Sequence, residues 1–130
     1  MYTETIARFL VTAFFAIVFV QSALDKFMDQ SGNIEYFTDH FKNSPLPPEF
    51  VSRLFWTLTL IEATAGTMCT LGLLTFSFTH RGFGIAACGV VLSGVALLCL
   101  LTGQRLAKDY AGAAVVAAYF AVALIGLSLF

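Results

Sequence analysis

The stretch LFWTLTLIEATAGTMCTLGLLTFSF, residues 54–78, carries one charged side chain, Glu62. As a helix rising about 1.5 Å per residue, it is long enough to cross the roughly 30 Å hydrocarbon core of a bilayer. Three further segments have the same character: about Ile6 to Phe27, about Gly82 to Leu101, and about Tyr110 to Phe130. The pattern predicts an all-α fold, an integral membrane four-helix bundle forming a single transmembrane domain over residues 1–130.

Composition points the same way. Of 130 residues, 58% are hydrophobic and 12% charged, with a mean hydropathy of +0.85. Soluble domains carry about 25% charged and about 45–50% apolar residues, so this chain has too little polar surface to cover itself in water. The net charge of −1 offers no basic face for nucleic acid. Cys69, Cys88 and Cys99 are far apart and lack a CxxC spacing, which argues against a disulfide framework, a thiol-redox pair or a zinc site. They read as small apolar packing residues.

Arg8 before a short apolar core resembles the start of a signal peptide. Gln21, however, stands where cleavage near Ser22 and Ala23 would need a small residue, so the segment is read as a retained helix. The FTHRG sequence (78–82) and GQRLAKD (103–109) are short connections, which make successive helices antiparallel neighbours. The connection over about residues 28–53 is much longer. Ile34, Phe37 and Phe41 recur there at helical spacing, which predicts a short amphipathic helix lying at the interface. Pro45, Pro47 and Pro48 then stop one helix and prepare the next, with Glu49 favourable in its first turn.

Four spans put both termini on one side with Arg8 and Arg81, and place Lys26, Lys42, Arg53, Arg105 and Lys108 on the other. The positive-inside rule assigns the long loop to the cytoplasm. His40 and His80 fall on opposite sides of the membrane, so no paired-histidine metal or haem site is expected.

Polar residues inside the spans are the candidate site. A carboxylate at mid-membrane costs roughly 2.5–3.5 kcal/mol on insertion scales, so Glu62 needs a partner or a task. It shares a helical face with Leu58, the one bulky apolar member, and with Thr59, Ala65, Gly66 and Cys69, small residues suited to facing the bundle. Two readings stand: a hydrogen-bonded group holding helices together, and a ligand-binding or proton-handling carboxylate. Gln21 lies at a similar depth on the first helix and is within geometric reach. Gln21 and Asp25 share a face, and Lys26 is one step around, where it can snorkel to the headgroups. Gln104, Arg105, Lys108 and Asp109 emerge at the same end. Glu62, Gln21, Asp25, Lys26, Thr59, Gln104 and Asp109 are therefore the candidate ligand-binding or proton-handling residues, or else part of a solvated rim. Ala113, Ala117 and Ala121, with Gly84, Gly89, Ser93 and Gly94, suit close helix packing.

These features together resemble the DoxX family of small four-helix membrane proteins. The resemblance runs over nearly the whole chain: Arg8 opening the first helix, Ser22-Ala23-Leu24-Asp25-Lys26 ending it, Glu62 followed by AGTMCTLGLLT, the Arg81 turn, and Gln104 with Asp109-Tyr110 leading into the last helix. The stretch SALDKFMDQSGNIEYFTDHFKNSPLP is similar to long-loop members. The resemblance implies a bacterial inner-membrane protein linked to membrane oxidoreductase systems, with Lys26, Glu62 and Asp109 as pattern positions and no settled catalytic motif.

Three functions follow as expectations. The first is an accessory subunit of a larger, redox-linked membrane complex, embedded in lipid beside other subunits and binding no cofactor of its own. The second is a quinone- or lipid-binding oxidoreductase component with a pocket at Glu62. The third is a small transporter, disfavoured because four-helix multidrug exporters carry their membrane glutamate in the first helix and have short loops.

Overall fold

The computed structural model describes residues 2–76 and 81–130. They form α1 (Tyr2–Met28), α2 (Gln30–His40), α3 (Pro48–Phe76), α4 (Arg81–Leu106) and α5 (Tyr110–Ser128), with no strand among the described residues. Four of these helices, α1, α3, α4 and α5, are long and apolar enough to cross a membrane. This is the architecture of a multi-pass membrane protein, in which each helix satisfies its own backbone hydrogen bonds without water. The expected turn at FTHRG, with His80, falls largely on residues 77–80, outside the described ones.

The helices run past their apolar stretches. Helix α3 starts at Pro48, where a fixed φ and a missing N–H suit the first helical turn. At 29 residues it is longer than the hydrocarbon core is thick, and its first turns carry exposed Glu49 and Arg53. Helix α4 continues through Thr102 to Leu106. The chain then turns through Lys108, held at φ 62°, and Asp109 caps α5 by accepting from Gly112 N–H at 3.0 Å.

A helix also forms in the long connection. Asp29 caps α2, accepting from Gly32 N–H at 3.2 Å. None of the α2 residues is buried. Ile34 and Phe37 are half-buried, whereas Glu35, Thr38 and Asp39 are exposed. Phe37 packs edge-on against Phe55 of α3, ring centres 5.3 Å apart, and this fastens α2 over the end of the bundle.

Adjacent spans are antiparallel. Phe9 meets Phe76 at one end of the α1–α3 pair and Phe27 meets Trp56 at the other. Small residues bring backbones together where lipid supplies no hydrophobic drive. A Cβ on Gly72 would lie 2.8 Å from Ala86 Cα, and one on Gly89 would lie 2.8 Å from Cys69 N, so α3 and α4 nearly touch. The core between the spans includes Phe15, Phe19, Ala65, Cys69, Val90 and Leu97. On α5 the buried face is Ala113, Val116, Ala123 and Gly126. Ala117 and Ala121 are exposed, so the expected alanine stripe turns out of the bundle after Ala113. Gly84 likewise meets nothing nearby among the described residues, whereas Gly89, Ser93 and Gly94 are buried.

Gly66 sets the α1–α3 spacing: a Cβ there would stand 2.9 Å from Val20 N and 3.1 Å from Phe19 C. These are backbone atoms that cannot swing aside. Gly66→Val should force the two helices apart and cost about 1–3 kcal/mol, as overpacking does. Unfolding of the variant and the parent protein in mixed detergent micelles measures the difference.

Candidate functional site

Glu62 lies near the middle of α3 and is 1% exposed. Its helical neighbours Thr59, Ala65, Gly66 and Cys69 are all buried, so this face does look into the bundle. What it meets is α1. Ser22 donates its hydroxyl hydrogen to Glu62 Oε2. Lys26 Nζ donates to Ser22 Oγ at 2.7 Å and to the same carboxylate oxygen at 3.2 Å. Lys26 is 8% exposed, so ammonium, hydroxyl and carboxylate form one buried cluster.

Backbone direction explains why Lys26 turns inward. Every Cα–Cβ bond on an α-helix leans toward that helix's N-terminus. Lys26 stands in the last turn of α1, so its side chain starts back along α1 toward Ser22, its i−4 neighbour. Helix α3 runs the opposite way, so its side chains lean toward the loop end, against the lean of those on α1. Lys26 and Glu62 therefore converge from different levels. The contact of Glu62 with Gln21 that its depth allowed does not form. Gln21 is exposed, a helical step away from Ser22, and faces outward with Asp25 along an open groove bordered by Leu24, Met28 and Thr70.

The cluster answers an energetic problem. An isolated buried charge costs several kcal/mol even after relaxation, and an opposite charge with good hydrogen bonds offsets that. Here both donors go to Oε2, while Oε1 is buried with no hydrogen-bond partner among the described residues. The carboxylate is thus clamped at one oxygen and open at the other. Thr59 adds no bond, because its hydroxyl donates to the Phe55 carbonyl at 2.7 Å.

The remaining candidates form a second cluster at the loop end. Gln104 Oε1 lies 2.7 Å from His40 Nε2, so the imidazole N–H donates to the amide. Asp109 Oδ2 stands 3.9 Å from the same nitrogen. Gln104 can reach because Gly112 leaves space: a Cβ there would collide with its amide nitrogen. His40, at the end of α2, is the residue that sequence reasoning set aside when it looked only for a histidine pair. Its one available signal was its place at the end of the predicted loop helix. Ser22 was likewise legible only as part of SALDK.

Between α2, α3 and α4 lies a cavity of about 390 Å³. Glu62 faces α1 instead and lines neither this cavity nor the groove beside Gln21. At the opposite end of the bundle, Arg8 donates from Nε to the Leu129 carbonyl. Its guanidinium lies 5.2 Å from the Phe83 ring centre and 5.7 Å from that of Phe130, a favourable placing for a cation beside a helix C-terminus. The three cysteines are free, Cys69 buried and Cys88 and Cys99 exposed.

Comparison with protein-family models, with curated proteins and with solved structures finds no match to this chain.

The buried cluster gives a test by paired substitution. Lys26→Met strands the Glu62 carboxylate and should destabilise the protein by about 3–5 kcal/mol, whereas Lys26→Met combined with Glu62→Leu should recover most of that loss. Equal destabilisation by the single and double variants, read from micelle unfolding curves, would rule out a coupled pair.

Proposed function

We propose that this protein is a DoxX-like accessory subunit of a larger, redox-linked complex in the bacterial inner membrane. The observation carrying the proposal is the outer face of α5. Ala114, Ala117, Ala118 and Ala121 are all exposed there, a small-residue surface that another transmembrane helix can approach closely. The charged groups of the spans support the same reading. Glu62 and Lys26 engage each other, and Arg8 engages the end of α5, so they hold the bundle while its outer faces stay apolar. The redox link rests on the sequence resemblance alone.

In this reading α2 lies at the membrane interface, its half-buried Ile34 and Phe37 inward and its charged residues toward water. The long loop is cytoplasmic. Lys42, Arg53, Arg105 and Lys108 are exposed at that end, and the bias stands even when Lys26, held in its ion pair, is left out of the count.

Purification of the full chain from its native membrane in mild detergent tests the subunit role. Stoichiometric co-purification with redox subunits is expected, and Ala114→Leu with Ala118→Leu should reduce it while leaving the chain's own unfolding unchanged. Recovery of a monodisperse lone chain under the same conditions would overturn the reading.

A further inference from the structure

The groove along α1 is the exception to the apolar outer faces of the bundle. Ile17, Gln21, Leu24 and Met28, all exposed, recur at the spacing of one helix face. Asp25 stands beside them, and Thr70 of α3 closes the far edge.

Two contacts fix how deep the groove lies. Gly66, near the middle of α3, faces Val20, and Phe27 meets Trp56 toward the start of α3. Gln21 is therefore level with the central turns of α3. Asp25 lies about 6 Å nearer the loop end, at about 1.5 Å per residue.

Gln21 and Asp25 are both exposed, and neither side chain has a hydrogen-bond or ionic partner among the described residues. Exposed hydroxyls elsewhere on the spans satisfy themselves. Thr57, Thr64 and Thr102 donate to the Arg53, Leu60 and Leu98 carbonyls one turn back. Thr70 does the same with Gly66. The cation next to Asp25 in the chain is Lys26, and it is engaged by Glu62 on the inner side. An ionisable or amide side chain on the outside of a span is costly in hydrocarbon, and lipid tails offer it neither a donor nor a charge.

A helix lying along α1 answers both groups. It needs an amide or hydroxyl facing Gln21 and a Lys or Arg facing Asp25, one turn nearer the loop end. Lys and Arg gather at the cytoplasmic ends of spans, which is the end where Asp25 sits in the orientation given above. Their long side chains also reach along a helix between membrane and headgroup depth. A second α1 in the same orientation would bring Asp25 against Asp25, so like charges oppose a twofold pairing of copies.

We propose that the α1 groove is the docking site for one transmembrane helix of a different subunit, carrying a Lys or Arg near its cytoplasmic end and an amide or hydroxyl one turn deeper. The inference rests on the subunit reading and gives that subunit a contact with its own chemistry, apart from the α5 face.

The test uses the purified full chain in phosphatidylcholine nanodiscs, with p-benzoylphenylalanine in place of Leu24 as photo-cross-linker. The probe is a synthetic transmembrane peptide of leucine and alanine with one lysine near one end and one asparagine a turn deeper. Two companion peptides replace the lysine by glutamate, or both polar residues by leucine. Cross-linking of the lysine peptide should saturate at a mole fraction roughly tenfold below that of the apolar peptide. The same cross-linker at exposed Leu60, which does not line the groove, should show no saturable part. Gln21→Leu should raise the half-saturating fraction by roughly threefold to tenfold, the loss of one interhelical hydrogen bond. Asp25→Lys should lose the lysine peptide and gain the glutamate peptide, a gain that a misfolded chain does not give. Equal cross-linking of all three peptides would overturn the proposal. So would chain-to-chain cross-linking at Leu24, which assigns the groove to a second copy. Because the purified chain and a synthetic peptide suffice, failure here would leave the co-purification result, and with it the subunit role, untouched.

Discussion

A carboxylate placed halfway along a membrane helix has no water to solvate it, and the arrangement of this bundle follows from how Glu62 is answered. Its partners are not on its own helix. Ser22 and Lys26 reach it from α1, so α1 and α3 must lie close and in one register. Gly66, one turn along from Glu62, permits that closeness by leaving room for the α1 backbone at Val20. Electrostatic need and backbone approach therefore act at adjacent turns of the same interface. A change at either is felt at the other, because the length of a lysine side chain sets how far the helices can separate before the pair breaks.

The two ends of the bundle are closed differently. At the terminal end, Arg8 joins α1 to the last carbonyls of α5 and rests against Phe83 and Phe130. At the loop end the fastening is distributed: Phe37 on Phe55, and His40 on Gln104 with Asp109 beside it. Helix α2, joined by these contacts and by Asn33 Nδ2 donating to the Asp25 carbonyl of α1, has no buried residue and is held more weakly than a span within the bundle. That is the end at which a cavity persists, since α2 bridges α3 and α4 without filling the space between them. A polar interior and an apolar hollow thus sit side by side on α3. Glu62 faces α1, and Ile61, one residue back, faces the cavity.

What the sequence by itself determined is the part governed by one dimension. Bilayer thickness and the need to satisfy backbone hydrogen bonds within each span make a run of apolar residues a transmembrane helix whatever lies beside it. The four spans were therefore legible from 54–78 and its counterparts. So was the inward character of the Glu62 face, because Thr59, Ala65, Gly66 and Cys69 repeat at helical spacing. The capping role of Asp109 was not read, although its place ahead of Tyr110 carried the signal.

Tertiary structure alone decided which neighbour each face meets. Lys26 can snorkel outward or turn inward from the same position, and its sequence context is the same in both cases. The antiparallel placing of α3, with side chains on both helices leaning toward a common level, selects the inward course. Gln21 and Ser22 are adjacent in the chain, yet one is exposed on the outside of the bundle and the other bonds the carboxylate, a division set by the rotation of α1 against α3. Ala117 and Ala121 left the core for a similar reason: helical spacing defines a stripe, and only packing against α1 and α4 fixes which stripe is buried. His40 became part of a polar cluster because α2 folds back over the bundle to bring it to Gln104, a juxtaposition across 64 residues that no local pattern encodes.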